Sequence, residues 1–446
     1  MTPLYVTLDT CRKGRRFDIK IPLCLALLFL SFLVVSIACH SPASVLTGLD
    51  QIHDHQQLFS DKNIGLVTNH TAVNQHGMHI VDVFAAMPGV RVVAIYSPEH
   101  GVRGAVAAGE AIENGIDPAG IPVYSLYGEA KKPTAAMLSS VEMLVFDMQD
   151  IGARFYTYIW TLYYAMCAAA ENNIPFVVLD RPNPLADRTE GPLLDRTYAS
   201  FVGLLPLPVR HGMTVGELAQ LFYGEGWLGD GLALDLTVIP LRHWRRDMWY
   251  DETGLAFVAP SPNMPTLETA TVYPGTCLLE GTNVSEGRGS DSPFLLFGAP
   301  WIESDELCER LNALQIAGVR FVPAEFTPVS LPGKAVRPKY EKARCCGARV
   351  IITDRQELDA FSMGVAVVKT LFDLYPDFHF LRNGYFDNLA GTDKIRLAIQ
   401  SGGSLEEIQN IWAADLRAFA LKKQQYSIYP EKITHTRHKD SNILLF

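Results

Sequence analysis

The sequence predicts an α/β protein, with a doubly wound sheet domain followed by a smaller mixed α/β C-terminal domain. Three observations carry this. Four short apolar, β-branched segments, IGLVTN (64–69), VRVVAIYS (90–97), EMLVFDMQD (142–150) and IPFVVLD (174–180), alternate with helix-length stretches. Each has a continuous apolar centre, the pattern of a strand covered on both faces in a parallel sheet. After an interval rich in Gly and Pro, helix-like and strand-like segments alternate again from about residue 303.

The elements follow in order. Arg12, Lys13, Arg15, Arg16 and Lys20 precede IPLCLALLFLSFLVVSIA (21–38), which is uncharged. A basic stretch before an apolar one is the pattern of an export signal, and the run also reaches the lower limit for a membrane span. SIAC, ending at Cys39, resembles the lipobox of bacterial lipoproteins, with Ser36 where leucine is usual. Residues 1–39 are therefore expected to be a signal peptide, lipoprotein signal or membrane anchor, and the protein to be exported, periplasmic or anchored at the envelope. Residues 45–265 form the sheet domain. Its helices include MHIVDVFAAMP and FYTYIWTLYYAMCAAAENN, the second with a thick apolar surface that must pack against the sheet. HGMTVGELAQLF (211–222) suits a helix start, with Thr214 as cap and Glu217 three positions on, which makes Glu217 structural. PSPNMPTLETATVYPGT, dense in proline and turn residues, reads as the crossing into residues 266–431. There ELCERLNALQ, ELDAFSMGVAVVKTLFDLYP, FDNLAGTDKIRLAIQSG and SLEEIQNIWAADLRAFALKK read as helices and ARVIITD as a strand. Residues 432–446 show no periodicity and are expected to be a flexible tail.

Composition excludes several classes. The formal net charge is −10, and more acidic without the basic N-terminal stretch, which argues against nucleic acid as a partner. Beyond residue 39 the cysteines are Cys167, Cys277, Cys308, Cys345 and Cys346, an odd number in no zinc spacing, so neither a metal site nor a disulfide framework is expected. No G-x-G-x-x-G follows the first strand and no Walker lysine motif occurs, so no cofactor is expected. Nor is there a G-x-S-x-G elbow or an S-x-x-K of a serine hydrolase.

The strand ends carry the candidate site. The first runs into Asn69 and His70, the second into Glu99 and His100, the third into Asp147, Gln149 and Asp150, and the fourth into Asp180, Arg181 and Asn183. In an open parallel sheet the carboxyl ends of the strands border the ligand crevice. Asp147 and Gln149 fall inside an apolar run, where an unpaired polar group is costly. Farther on, EGTNVSEGRGS (280–290) interleaves Asn283, Glu286 and Arg288 with glycines, a composition suited to a hydroxyl-rich ligand.

These motifs occur in a recognisable order: GLVTNHTAV, SPEHGVRG, VYSLYG, LVFDMQDIGARFYTYIWTL, LDRPNPL, FVGLLPLPVRHGMTVGELA, PSPNMPT, VYPGTCLLEGTNVSEGRG, PFLLFGAPWI and FDNLAGT. The chain thereby resembles the exo-β-N-acetylmuramidases, long described only as a domain of unknown function, over about residues 60–430. Ser290, where threonine is expected, is a conservative departure. The resemblance implies a Rossmann-like domain joined to a smaller C-terminal domain, with the active site in the cleft between. It also implies hydrolysis of terminal β-1,4-linked N-acetylmuramic acid from the non-reducing ends of peptidoglycan fragments, with Glu99 of the PEHG motif as catalytic acid.

Glycoside cleavage needs a proton for the leaving oxygen and stabilisation of an oxocarbenium-like centre. A general acid at neutral pH needs a raised pKa, which burial or a nearby carboxylate supplies. Asp147, Asp150 and Glu286 are candidates for the second group, as a water-activating base or as a nucleophile; a third route uses the substrate's own acetamido oxygen, oriented by Asp147, Gln149 or Asn283. His100 either acts directly or bonds a loop carbonyl. The lactyl carboxylate of muramic acid calls for a cation, and Arg154, Arg181 and Arg288 lie in the right motifs. Asn69, His70, Asp180, Asn183 and His211 complete the candidate substrate-binding set. Tyr127, Tyr156 and Tyr158 either stack on sugar or belong to the core. The competing class is an exported, non-catalytic receptor that clamps a wall sugar in the same crevice.

Overall fold

The computed structural model describes residues 4–6, 19–21, 44–99, 101–102, 114–128 and 130–430. The chain divides into two units, Met1–Ser44 and Val45–Phe446. In the first, β1 (Leu4–Val6) pairs antiparallel with β2 (Ile19–Ile21). The rest of the expected signal or anchor, including residues 22–39, lies outside the described residues, as do His100 and the expected tail 432–446.

The second unit is built on a seven-stranded sheet in the order β5-β6-β4-β3-β7-β8-β9. Its members are β3 (Asn63–Thr68), β4 (Arg91–Ser97), β5 (Gly115–Ile116), β6 (Pro122–Ser125), β7 (Met143–Asp147), β8 (Phe176–Leu179) and β9 (Leu236–Ile239). All neighbours run parallel except β5. Without β5, the six strands stand in the order 3-2-1-4-5-6 when counted along the chain. That is the doubly wound, Rossmann-type order, which starts at the centre, winds to one edge and returns to fill the other. The four apolar runs form β3, β4, β7 and β8, as expected. β6 and β9, with only partly buried patterns, carry too weak an apolar signal to be read as buried strands.

Two apolar layers flank the sheet. One is closed by α1 (Gln56–Phe59) and α2 (Ile80–Ala85), with Phe59, Ile80 and Phe84 against Leu66, Ile95 and Val145. On the other lies α3 (Tyr158–Glu171), buried along most of its length. α4 (Val215–Gly224) begins with the expected capping box: Thr214 accepts from the Glu217 amide, and the Glu217 carboxylate accepts from the Thr214 amide.

The Pro-rich crossing is not all turn. Leu267–Thr276 forms α5, which runs into a 3₁₀ turn over Cys277–Gly281. Thr266 caps it, and tertiary packing overrides Pro274. The sheet β10-β12-β11 follows, antiparallel throughout, from β10 (Leu296–Ala299), β11 (Val319–Phe326) and β12 (Cys345–Ile352). α6 (Ser304–Ala313) packs on it and on α7 (Ala360–Leu374). The chain closes with α8 (Tyr385–Ala390), α9 (Lys394–Gln400) and α10 (Leu405–Gln425).

The two sheets share one apolar core, in which Phe146 and Trp160 belong to the same cluster as Phe297 and Phe361. Edge-to-face contacts carry it across: Phe155 meets Tyr273 at 5.1 Å between ring centres, and Tyr273 meets Phe294 at 4.7 Å. α5 and α7 touch backbone to backbone. A Cβ at Gly275 would stand 1.9 Å from the Ala360 carbonyl oxygen, and one at Gly364 would stand 2.3 Å from that of Gly275. Among the described residues the five cysteines are free and all but Cys346 are buried, and no helix is long and apolar enough to cross a membrane.

Candidate active site

A cavity of about 580 Å³ opens between the sheet and the C-terminal segments, within the usual range for small-molecule sites. Its first wall comes from the carboxyl ends of β4, β6 and β7: Glu99, then Tyr127 and Lys131, then Phe155 to Tyr158. Facing it stand Glu280, Glu286 and Arg288 from the turns after α5, the segment from Lys334 to Lys339, and Tyr385 at the start of α8.

Glu99 reaches the cavity because β4 ends in a turn. Pro98 cannot extend the ladder, and the Gly101 amide bonds back to the Pro98 carbonyl at 3.2 Å. Gly101 has φ +73°, a left-handed conformation that favours glycine. The Thr157 hydroxyl donates to the Glu99 carboxylate at 3.4 Å, and the Tyr127 phenol bonds it from the bend after β6. Burial, together with the Glu99 charge, pushes the Tyr127 phenol up, so it remains a donor. Lys131 is nearby: burial lowers its pKa and the Glu99 carboxylate opposes that shift.

The opposite wall is an ion-pair network. Arg288 bonds Glu280 at 2.8 Å and lies 3.4 Å from Glu286, while Lys339 lies 3.2 Å from the other Glu286 oxygen. Lys339 also donates to the carbonyls of Leu279, at 2.8 Å, and Val284, at 3.0 Å. Burial would depress the Arg288 guanidinium, but Glu280 and Glu286 hold it above its ordinary value. Asn263 positions this wall by donating to the Lys334 carbonyl at 2.6 Å.

Of the candidates read from sequence, Glu99, Glu286 and Arg288 line the cavity together, and so do Tyr127, Tyr156 and Tyr158. His100 lies outside the described residues. The others do not line it. Instead of an open crevice, the switch point between β3 and β7 holds packed side chains. Asp147 forms a two-pronged ion pair with Arg181, both buried, and Arg181 also reaches the Val73 carbonyl. Burial pulls the Arg181 guanidinium down, and the Asp147 charge more than restores it. Asn69 accepts from the amide and hydroxyl of Thr71, while Gln149 donates to the carbonyls of Asp150 and Pro182. Asp150 accepts from the Gly152 amide at 2.7 Å and faces His211 Nε2 at 3.2 Å. The Met213 amide donates to His211 Nδ1, so the ring proton of neutral His211 sits on Nε2, toward Asp150. His70 Nε2 meets the Ala259 carbonyl at 2.8 Å.

Asp180 accepts from the Gly216 amide and from the hydroxyls of Thr214 and Tyr429, and Asn183 pins the Leu185 amide and the Met213 carbonyl. Arg154, fully buried, donates to the carbonyls of Pro192, Leu207 and Leu389, each at 2.8 Å. Burial lowers its pKa to about 9, so it stays charged at neutral pH. Asn283 ties the chain near residue 378, accepting from the His379 amide and donating to the Asp377 carbonyl. Conversely, Lys131, Asn263, Glu280, Lys339 and Tyr385 line the cavity without having been singled out as site residues. Glu280 and Asn263 stand inside motifs already recognised, EGTNVSEGRG and PSPNMPT, so those motifs held the signal. Among the described residues no cluster of three His, Cys, Asp or Glu is placed to hold a metal ion.

Residues 64–268 match the family described as exo-β-N-acetylmuramidase NamZ, N-terminal, and residues 271–429 its C-terminal counterpart. The peptidoglycan β-N-acetylmuramidase NamZ of Bacillus subtilis is 49% identical over 389 residues, 86% of this chain and 91% of that protein. Two crystal structures of DUF1343 family proteins from Bacteroides fragilis share the architecture. One has a TM-score of 0.79 at 35% identity, covering 87% of this chain and 99% of that one. The other has 0.71 at 32%, covering 87% and 100%. With both halves matched in order and a relative near half identity over most of its length, the chain belongs to the exo-β-N-acetylmuramidase NamZ family.

Proposed function

We propose that the protein is an exo-acting glycoside hydrolase that releases terminal β-1,4-linked N-acetylmuramic acid from the non-reducing ends of peptidoglycan fragments, with Glu99 as proton donor. One observation supports that role most: a turn at the end of a buried strand presents the Glu99 carboxyl to the cavity, where Thr157 and Tyr127 orient it. An oriented carboxyl beside a sugar-sized space is what protonation of a leaving glycosidic oxygen requires. Across the cavity, Glu286 is fixed between Arg288 and Lys339. Of the carboxylates weighed as a partner for Glu99, it is the one that lines the same space, where its charge would favour an oxocarbenium-like centre.

The test is turnover of a chromogenic N-acetylmuramide. Wild-type protein should release the aglycone. Glu99→Gln should still bind the sugar and lose at least about 10²-fold in kcat. Wild-type turnover by that variant would overturn the acid assignment, and sugar binding without release by the wild type would overturn the hydrolase reading.

We also place the protein at the cell envelope, reached by export and held by an N-terminal signal, lipid or membrane anchor. The basic and apolar patterning of residues 12–38 and the SIAC sequence support this. The mass of the N-terminal peptide from producing cells distinguishes a lipidated Cys39 from an intact leader.

A further inference from the structure

We propose that Lys131, seated on the rings of Tyr127 and Phe201, receives the lactyl carboxylate of the terminal sugar and thereby sets the preference for muramic acid over glucosamine. The proposal rests on the muramidase reading and concerns specificity within it.

N-acetylmuramic acid differs from N-acetylglucosamine by an anionic lactyl ether on O3. An acidic protein that selects for this anion needs a local cation that is not already engaged. Among the described residues, five basic side chains line the cavity: Lys131, Arg288, Lys334, Arg337 and Lys339. Arg288 is taken by Glu280 and Glu286, and Lys339 by Glu286 and backbone carbonyls. Lys334 and Arg337 lie exposed on the far wall. Arg154 and Arg181, the other arginines expected to take this role, are buried with carbonyls and with Asp147.

Lys131 differs from all of these. It is half-buried, and among the described residues it makes no ion pair and no hydrogen bond. Its Nζ lies 3.7 Å from the centre of the Phe201 ring and 5.2 Å from that of Tyr127. The two rings hold the ammonium by cation–π attraction and shield it from water on one side. An ammonium so held has its N–H donors available to an incoming anion. It is also close enough to Glu99 to feel that carboxylate. On a pyranose, O3 and the glycosidic oxygen on C1 belong to the same ring, and Glu99 and Lys131 stand on the same wall of the cavity, so one sugar can present C1 to the first and its O3 substituent to the second. In peptide-bearing muramyl residues the lactyl group is an amide; these carry no charge there and gain nothing from this lysine.

The experiment compares wild type, Lys131→Met and Lys131→Arg on a chromogenic N-acetylmuramide and on the same compound with its lactyl group as the methyl amide. Lys131→Met should raise KM for the acid about tenfold or more and leave KM for the amide unchanged, with Lys131→Arg close to wild type. An equal rise for acid and amide, or no rise for the acid, overturns the proposal. If wild type cleaves neither compound, the hydrolase reading fails separately. Calorimetric titration with N-acetylmuramic acid then decides Lys131: binding about tenfold weaker in Lys131→Met supports it, and equal binding overturns it.

Discussion

Arg154 shows how a residue in a site-facing motif can serve the fold instead. Its guanidinium satisfies three carbonyl oxygens, one of them 235 residues away at Leu389. Replacing it by methionine removes the donors and leaves those oxygens buried, at a cost of about 1–3 kcal/mol each where no water enters. Arg154→Met should therefore lose roughly 3 kcal/mol or more of stability in urea denaturation, while the folded fraction keeps a near-normal KM. Unchanged stability with a raised KM would put Arg154 back in the binding site. From sequence alone, the cost of burying a polar residue marked Asp147 and Gln149 as either functional or paired, and the need for a cation marked Arg154 and Arg181 as candidates for an anion. It could not show which, because their partners come from distant segments.

At the scale of elements, the contact between α5 and α7 positions the far wall of the cavity, since the turn carrying Glu280, Glu286 and Arg288 follows α5 directly. The two helices approach through Gly275 and Gly364, where no side chain fits. In Gly364→Ala the added methyl would have to clear the Gly275 carbonyl oxygen, 2.3 Å away, and only backbone movement provides the room. Overpacking of this kind typically costs about 1–3 kcal/mol, occasionally more. The urea midpoint of Gly364→Ala should fall accordingly, and KM for the muramide should rise as the wall shifts. A variant with wild-type midpoint and KM would show that the helices separate without cost. The capping box at Thr214 and Glu217 was readable from four residues. α5 was not, because Pro and Gly within it point locally to turns, and only burial against α7 makes the helix the better solution.

At the scale of the whole molecule, Asp180 joins the sheet, α4 and the segment after α10. Its carboxyl accepts from Gly216 at the start of α4, from Thr214, and from Tyr429 near the last described residue. Burial raises its pKa from 3.8 to about 7, against the pull of these three donors. Between those values the folded protein holds a proton that the unfolded chain has released. Stability therefore falls as pH rises from about 4 to about 7, by at most about 1.4 kcal/mol per pH unit for this one group. Asp180→Asn should flatten that slope in urea titrations across the window. Asp147 and Glu190, also raised by burial, leave a residual slope of the same sign. An unchanged slope in Asp180→Asn would remove Asp180 from this role.

The sequence by itself determined the winding of the sheet, because apolar runs of strand length separated by helices leave few ways to bury both faces. It also determined that polar groups end every central strand, with Glu99 among them. Only the tertiary structure decided which of these groups meet substrate space. At the switch point Asp147 and Arg181 neutralise each other and fill the crevice, so the cavity opens instead beside the ends of β4, β6 and β7. Its second wall, from Glu280 to Tyr385, comes from segments far along the chain. Whether a charged side chain faces a ligand or a buried partner depends on what folding brings beside it, which no local stretch of sequence records.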